Sequence, residues 1–113
     1  MIVGIGIDII EIERIERAAT NPLFLERIFT ERERAYFASR KNNLSTIAGS
    51  FVAKEATSKA LGTGIGKIGW HDIEVLRYNK GKPYVELCGR AKELFALLGG
   101  KYIHITISHS RIY

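Results

Sequence analysis

The chain has 113 residues, 46% hydrophobic and 26% charged, a balance that excludes a disordered or fibrous protein and suits one domain, residues 1–113, around one modest core. Its 17 Lys and Arg against 12 Asp and Glu leave a formal charge of +5, which favours an anionic partner: nucleic acid, membrane surface, phosphorylated substrate or acidic protein. The one cysteine, Cys88, excludes an intramolecular disulfide and reads as a small buried side chain.

Residues 2–10 alternate at period two, with Ile5, Ile7 and Ile9 on one face and Gly4, Gly6 and Asp8 on the other. This predicts a strand whose stripped face carries one carboxylate. The start lacks the basic region of a signal peptide, and no run of about 18 apolar residues predicts a membrane span, so a cytoplasmic setting is expected. Residues 11–19 switch to helical spacing through Ile12, Ile15 and Ala19. Asn21-Pro22 opens a second helix, and Thr30 followed by Glu33 is a capping-box pattern opening a third to about Arg40.

After the polar break 41–43, a long helix is expected from about Leu44 to Leu61, stopped by Gly62. Two strand-like runs follow, Asp72–Tyr78 and Pro83–Leu87, joined by a turn at 79–82. Arg90–Leu98 reads as a helix ending at Gly99-Gly100, and Tyr102–Ser108 alternates as a last strand. The order of elements predicts an α+β domain, an antiparallel sheet packed against a long central helix.

Glu55 and Lys59, four residues apart, share one face of the long helix with Phe51. Alone, that pair reads as a solvated surface ion pair contributing about 0.2–0.5 kcal/mol. Ala48, Val52, Ala56 and Ala60 form a separate stripe of small residues that invites a close neighbour. Asp8, beside Gly4 and Gly6, leaves room for a bulky ligand, and two carboxylates from distant segments suit magnesium, which takes oxygen ligands and keeps phosphate oxygens in its shell. The cluster from Gly62 to Gly69 fails as a dinucleotide motif because it follows a helix, and as a P-loop because Leu61 stands where its first glycine belongs. It reads either as a loop offering free backbone N–H groups to phosphate or as a plain helix stop. Ser108-His109-Ser110 lacks a nucleophile elbow.

These segments together resemble the holo-acyl-carrier-protein synthase family of small phosphopantetheinyl transferases. The resemblance rests on residues 4–11, on Phe51-Val-Ala-Lys-Glu-Ala-Thr-Ser-Lys-Ala-Leu-Gly-Thr-Gly64, on Trp70–Val75, on Gly81-Lys-Pro83 and on Ile107–Ser110. It implies the phosphopantetheinyl transferase fold and transfer of 4′-phosphopantetheine from coenzyme A to a serine of an apo acyl carrier protein, as in fatty acid biosynthesis. Asp8 and Glu55 are then the magnesium ligands, and Lys59 stabilises the leaving adenosine 3′,5′-bisphosphate. The serine proton passes either to Glu55 or to a metal-bound water. Lys59, Thr63, Gly64, Pro83 and His109 are implied as coenzyme A contacts. Arg14, Arg17 and Arg27 are implied as the docking surface for the acidic carrier protein, although each could equally pair with Glu13, Glu16 or Glu31.

A homotrimer with sites at subunit boundaries is also implied. A nucleic-acid-binding module is disfavoured, because the arginines alternate with glutamates and leave no basic stripe. Two departures stand out. Ser50 replaces an arginine found in many relatives, which shifts a phosphate contact to Lys41 or Arg40 or removes it. Relatives also continue past the Ser-His block into a further apolar strand, without which the 103–107 strand would have an exposed edge.

Overall fold

A computed structural model describes Gly4, residues 12–105 and Ile107. The strand expected at 2–10, apart from Gly4, lies outside the described residues, as does Ser108-His109-Ser110. Three short helices come first: α1 (Ile12–Ala19), α2 (Pro22–Ile28) and α3 (Glu31–Ser39). Asn21 caps α2 by accepting from Leu23 N–H, with Pro22 at the first position. At α3 the capping box is complete: Glu33 N–H donates to Thr30 Oγ1 and Thr30 N–H to Glu33 Oε1. The break at 41–43 is a true reversal, with Lys41 and Asn42 at φ 56° and 54°.

The long helix α4 runs Leu44–Ala60, capped by Asn43, and Gly62 at φ 85° ends it as its missing Cβ allows. A 3₁₀ turn at Trp70–Asp72 leads into β1 (Ile73–Arg77), which pairs antiparallel with β2 (Pro83–Leu87) from Ile73 opposite Leu87 to Arg77 opposite Pro83. Helix α5 (Gly89–Leu97) closes the described fold. The α+β architecture, a two-stranded antiparallel sheet packed against the central helix, agrees with the sequence reading.

Two apolar clusters flank α4. Ile15, Ile28, Phe29, Phe37, Ile47 and Ala48 fill the helical side, where Phe29 and Phe37 meet edge to face at 4.8 Å. Leu61, Ile68, Ile73 and Ala91 fill the sheet side. The small-residue stripe meets the neighbour it invited: a Cβ on Gly4 would stand 2.1 Å from the carbonyl oxygen of Ala60, so only glycine fits there.

Two expectations are corrected. The described residues of the 102–108 run, 102–105 and 107, form no strand. Alternation specifies a face but supplies no hydrogen-bonding partner, and no described segment pairs with this one. Cys88 is exposed rather than buried, because β2 ends at Leu87 and the chain turns there into α5.

Candidate active site

Helix α4 fixes the central pair. Glu55 is half-buried and Lys59, one turn on, is exposed. One turn before them Phe51 stacks on Trp70, with centroids 5.2 Å apart, and leans on Phe24 of α2 at 6.2 Å. This face therefore grades from a packed aromatic cluster to solvent within two turns. Such half-burial limits a carboxylate's rotamers while leaving its oxygens reachable by a ligand. Asp8 and His109 lie outside the described residues, so their placing against Glu55 is not described.

The loop after α4 corrects one expectation. Five of its N–H groups are already engaged: Gly62 N–H donates to Lys59 O, Thr63 and Gly64 N–H to Ser58 O, Gly66 N–H to Ile68 O, and Gly69 N–H to Asp72 Oδ2. Helix termination consumes the first three, since the last carbonyls of α4 need donors, and the loop's own turns take the other two. The Thr63 hydroxyl donates to Gly64 O at 3.1 Å. A phosphate approaching this loop meets the half-buried Thr63 and Gly64 and the exposed cations Lys59 and Lys67, not an open nest of amides.

Beside Glu55 the structure holds a feature that the sequence reading passed over. Lys54 and Glu33 are both fully buried, with Lys54 Nζ 2.7 Å from Glu33 Oε1. Lys54 Nζ also donates to Trp70 O and Ile73 O, while Glu33 Oε2 accepts from Val75 N–H at 2.9 Å. Burial pushes the Lys54 ammonium below the ordinary lysine range, and the Glu33 charge opposes that shift. The pair locks α3, α4 and β1 together immediately next to the candidate catalytic residue. Spacing carried a signal for it: Ile47, Ser50, Lys54, Thr57 and Leu61 all lie on the buried side of α4.

Pro83 opens β2 opposite Arg77, and both line a cavity of about 490 Å³ with Tyr36, Ser45 and Thr46. Ser50 is buried, and its Oγ finds no partner among the described residues. Arg40 and Lys41 are exposed, with the Arg40 guanidinium 5.4 Å from the centre of the Tyr36 ring. The docking candidates Arg14, Arg17 and Arg27 are all exposed, and among the described residues no ion pair joins them to Glu13, Glu16 or Glu31. Leu23, 70% exposed, lies four residues before Arg27 on the same side of α2. Among the described residues no group of three His, Cys, Asp or Glu side chains is arranged to hold a metal ion. Among the described residues no helix is long and apolar enough to cross a membrane.

Comparison with known proteins bears on this arrangement. Residues 4–107 match the model of the 4′-phosphopantetheinyl transferase superfamily. The holo-[acyl-carrier-protein] synthase of Alkaliphilus oremlandii is 54% identical over 112 residues, which are 98% of this chain and 92% of the relative. That of Clostridium novyi is 48% identical over 98% of this chain and 81% of its own length. Among solved structures, a Bacillus anthracis holo-(acyl-carrier-protein) synthase in complex with CoA (3′,5′-ADP) superposes with a TM-score of 0.76 at 44% identity, over 98% of this chain and 89% of that one. The Helicobacter pylori enzyme in complex with coenzyme A gives 0.80 at 37% identity, over 94% of this chain and 90% of its own. With its fold, its α4 motif and nearly its whole length matched, the chain belongs to the 4′-phosphopantetheinyl transferase superfamily and, within it, to the holo-[acyl-carrier-protein] synthase family of enzymes.

Proposed function

We propose that the chain transfers the 4′-phosphopantetheine group of coenzyme A to a serine of an apo acyl carrier protein, releasing adenosine 3′,5′-bisphosphate, with magnesium as the metal. The observation that carries this reading is the 54% identity to a holo-[acyl-carrier-protein] synthase over 98% of the chain. The half-buried Glu55 beside the exposed Lys59 supports it.

The serine oxygen attacks the phosphorus that bears the pantetheine arm. A new P–O bond forms as the pyrophosphate P–O bond breaks, and the bisphosphate leaves with that electron pair. Little covalent work falls to the protein in such a transfer, so positioning and cationic charge dominate. Lys59, exposed at the end of α4, meets the charge that grows on the leaving group. Glu55 and Asp8 would hold the magnesium, which supplies charge neutralisation on the phosphoryl oxygens when bound. The donor set fits that ion: magnesium needs only one or two carboxylates when phosphate oxygens complete its shell, so the lack of a three-ligand protein cluster among the described residues is no obstacle. Two acceptors stand open to the serine proton, Glu55 and water.

Thr63, Gly64, Pro83 and His109 are proposed contacts to the nucleotide, and Arg14, Arg17 and Arg27, with Leu23, the surface that receives the acidic carrier. The exposed Tyr78, Leu97, Leu98 and Tyr102 give apolar surface for contacts between subunits, and a cytoplasmic homotrimer is the proposed assembly. The decisive assay incubates the protein with coenzyme A, magnesium and apo carrier protein, and weighs the carrier. A carrier heavier by one phosphopantetheine is expected. Glu55→Gln should cut the rate at least about a hundredfold while the thermal midpoint holds. An unmodified carrier with the wild-type chain would overturn the activity, and near-normal transfer by Glu55→Gln would remove Glu55 from the metal site.

A further inference from the structure

We propose that His71 is a positioning residue for carrier docking. Its imidazole holds the last turn of α2 by a carbonyl that no helical N–H reaches, and so fixes how Leu23 and Arg27 face the carrier; this rests on the docking surface proposed above. In a continuing helix Glu26 O would take the N–H four residues on, that of Thr30. That N–H is spent on Glu33 Oε1 in the capping box of α3, and Phe29 N–H reaches back to Leu25 O. What meets Glu26 O is His71 Nε2, 2.9 Å away and 45 residues along the chain. A carbonyl only accepts, so the ring carries a proton on Nε2 and donates it there.

The donor is itself held on the central helix. His71 is the middle residue of the 3₁₀ turn Trp70–Asp72. Lys54 Nζ grips the flanking carbonyls of Trp70 and Ile73, and Asp72 Oδ2 closes the turn onto Gly69 N–H. Trp70 stacks on Phe51, one turn before Glu55. The turn therefore moves with α4, and His71 reaches from it to α2.

Helix α2 needs such a tie. Its seven residues are too few to hold a helix in water unaided, so its placing comes from its contacts. Phe24 leaning on Phe51 and Ile28 buried in the core set how deep it lies. Apolar contacts are non-directional and leave rotation about the helix axis loosely set. The His71 bond is directional and acts on the residue before Arg27. Leu23 and Arg27, four apart on one side of α2, turn with it. Sequence carries a trace of this: the capping box opens at Thr30, four residues after Glu26, and so takes away the N–H that the Glu26 carbonyl would have used.

Calorimetric titration with apo acyl carrier protein, coenzyme A absent, tests this in wild type, His71→Met and His71→Gln. Methionine matches glutamine in length but offers no donor, and His71 is exposed, so neither change opens a cavity. Loss of one hydrogen bond should weaken carrier binding about three- to tenfold in His71→Met, and His71→Gln should restore it to within about twofold of wild type. In steady state, KM for the carrier should rise by the same factor while KM for coenzyme A holds. Arg27→Gln should cost less affinity in the His71→Met background than in wild type, a coupling that a lower melting midpoint does not mimic. Equal affinity of wild type and His71→Met, a loss that His71→Gln shares, equal KM effects on both substrates, or an additive Arg27→Gln cost overturns the proposal. Wild type that binds the carrier, loses affinity only in His71→Met and yet transfers nothing refutes the activity and leaves the role of His71 standing. Wild type that neither binds nor modifies the carrier overturns both.

Discussion

Replacing Lys54 by Met removes the cation that pairs with the buried Glu33 carboxylate at 2.7 Å. Glu33 would keep two backbone donors, Thr30 N–H and Val75 N–H, both at 2.9 Å, but would lose its directly paired counter-charge. The carbonyls of Trp70 and Ile73 would lose their Nζ donor. Both side chains are fully buried, so solvent screens neither loss. Breaking one half of such a pair costs about 3–5 kcal/mol, a large fraction of the roughly 5–15 kcal/mol that holds a domain together. Glu33→Gln should cost a comparable amount, because it strands the ammonium instead. The double variant strands neither charge, so its cost should fall below the sum of the singles by about 1–3 kcal/mol. Urea unfolding of the four proteins measures each difference. A Lys54→Met cost below about 1 kcal/mol, or additivity of the singles, would refute the claim that this pair locks α3, α4 and β1.

Arg32 bridges Glu74 and Glu86, both at 2.6 Å, and its hydrogen bond, with help from Thr30, holds the Glu74 carboxyl below its ordinary value of 4.5. A carboxyl so lowered contributes stability above about pH 4.5 that disappears as pH falls through its folded value. Glu74→Gln should therefore flatten the acid limb of thermal midpoint against pH, and an unchanged limb would show that Glu74 carries no part of it. Reversing the docking charges with Arg14→Glu and Arg17→Glu should raise KM for carrier protein about tenfold at low salt, by an amount that shrinks as salt rises, and leave KM for coenzyme A unchanged. Equal effects on both substrates would point to a folding defect instead. Gly4→Ala drives a methyl group into the Ala60 carbonyl and should cost about 1–3 kcal/mol by urea unfolding; a neutral outcome would mean that this contact gives way freely.

Features that close over short chain distances were legible in the sequence. Asn21-Pro22, Thr30 with Glu33, and Gly62 each act within one helical turn, and each begins or ends the helix that its chemistry demands. The hairpin was equally plain, because the turn at 79–82 sets the register of the two runs beside it. What stayed hidden depends on distant partners. Residues 102–107 alternate as a strand should, yet a strand exists only where another backbone pairs with it. The amides after Gly62 looked available because nothing in the sequence shows which carbonyls α4 turns toward them.

The same division explains why the candidate site was only half legible. Glu55 and Lys59 stand four residues apart, a spacing common to catalytic pairs and ordinary surface pairs, and no local rule separates the two. The packing of Phe51 on Trp70, 19 residues along the chain, sets the exposure of Glu55 one turn beyond. Glu33 makes the point most sharply. As the third residue of α3 it satisfies a capping box completely, and that local role accounts for its presence in the sequence. A carboxylate has two oxygens, however, and here the second reaches Val75 while the first also takes Lys54. A side chain with spare hydrogen-bonding capacity beside an apolar run therefore remains a candidate for a distant partner even after its local role is filled.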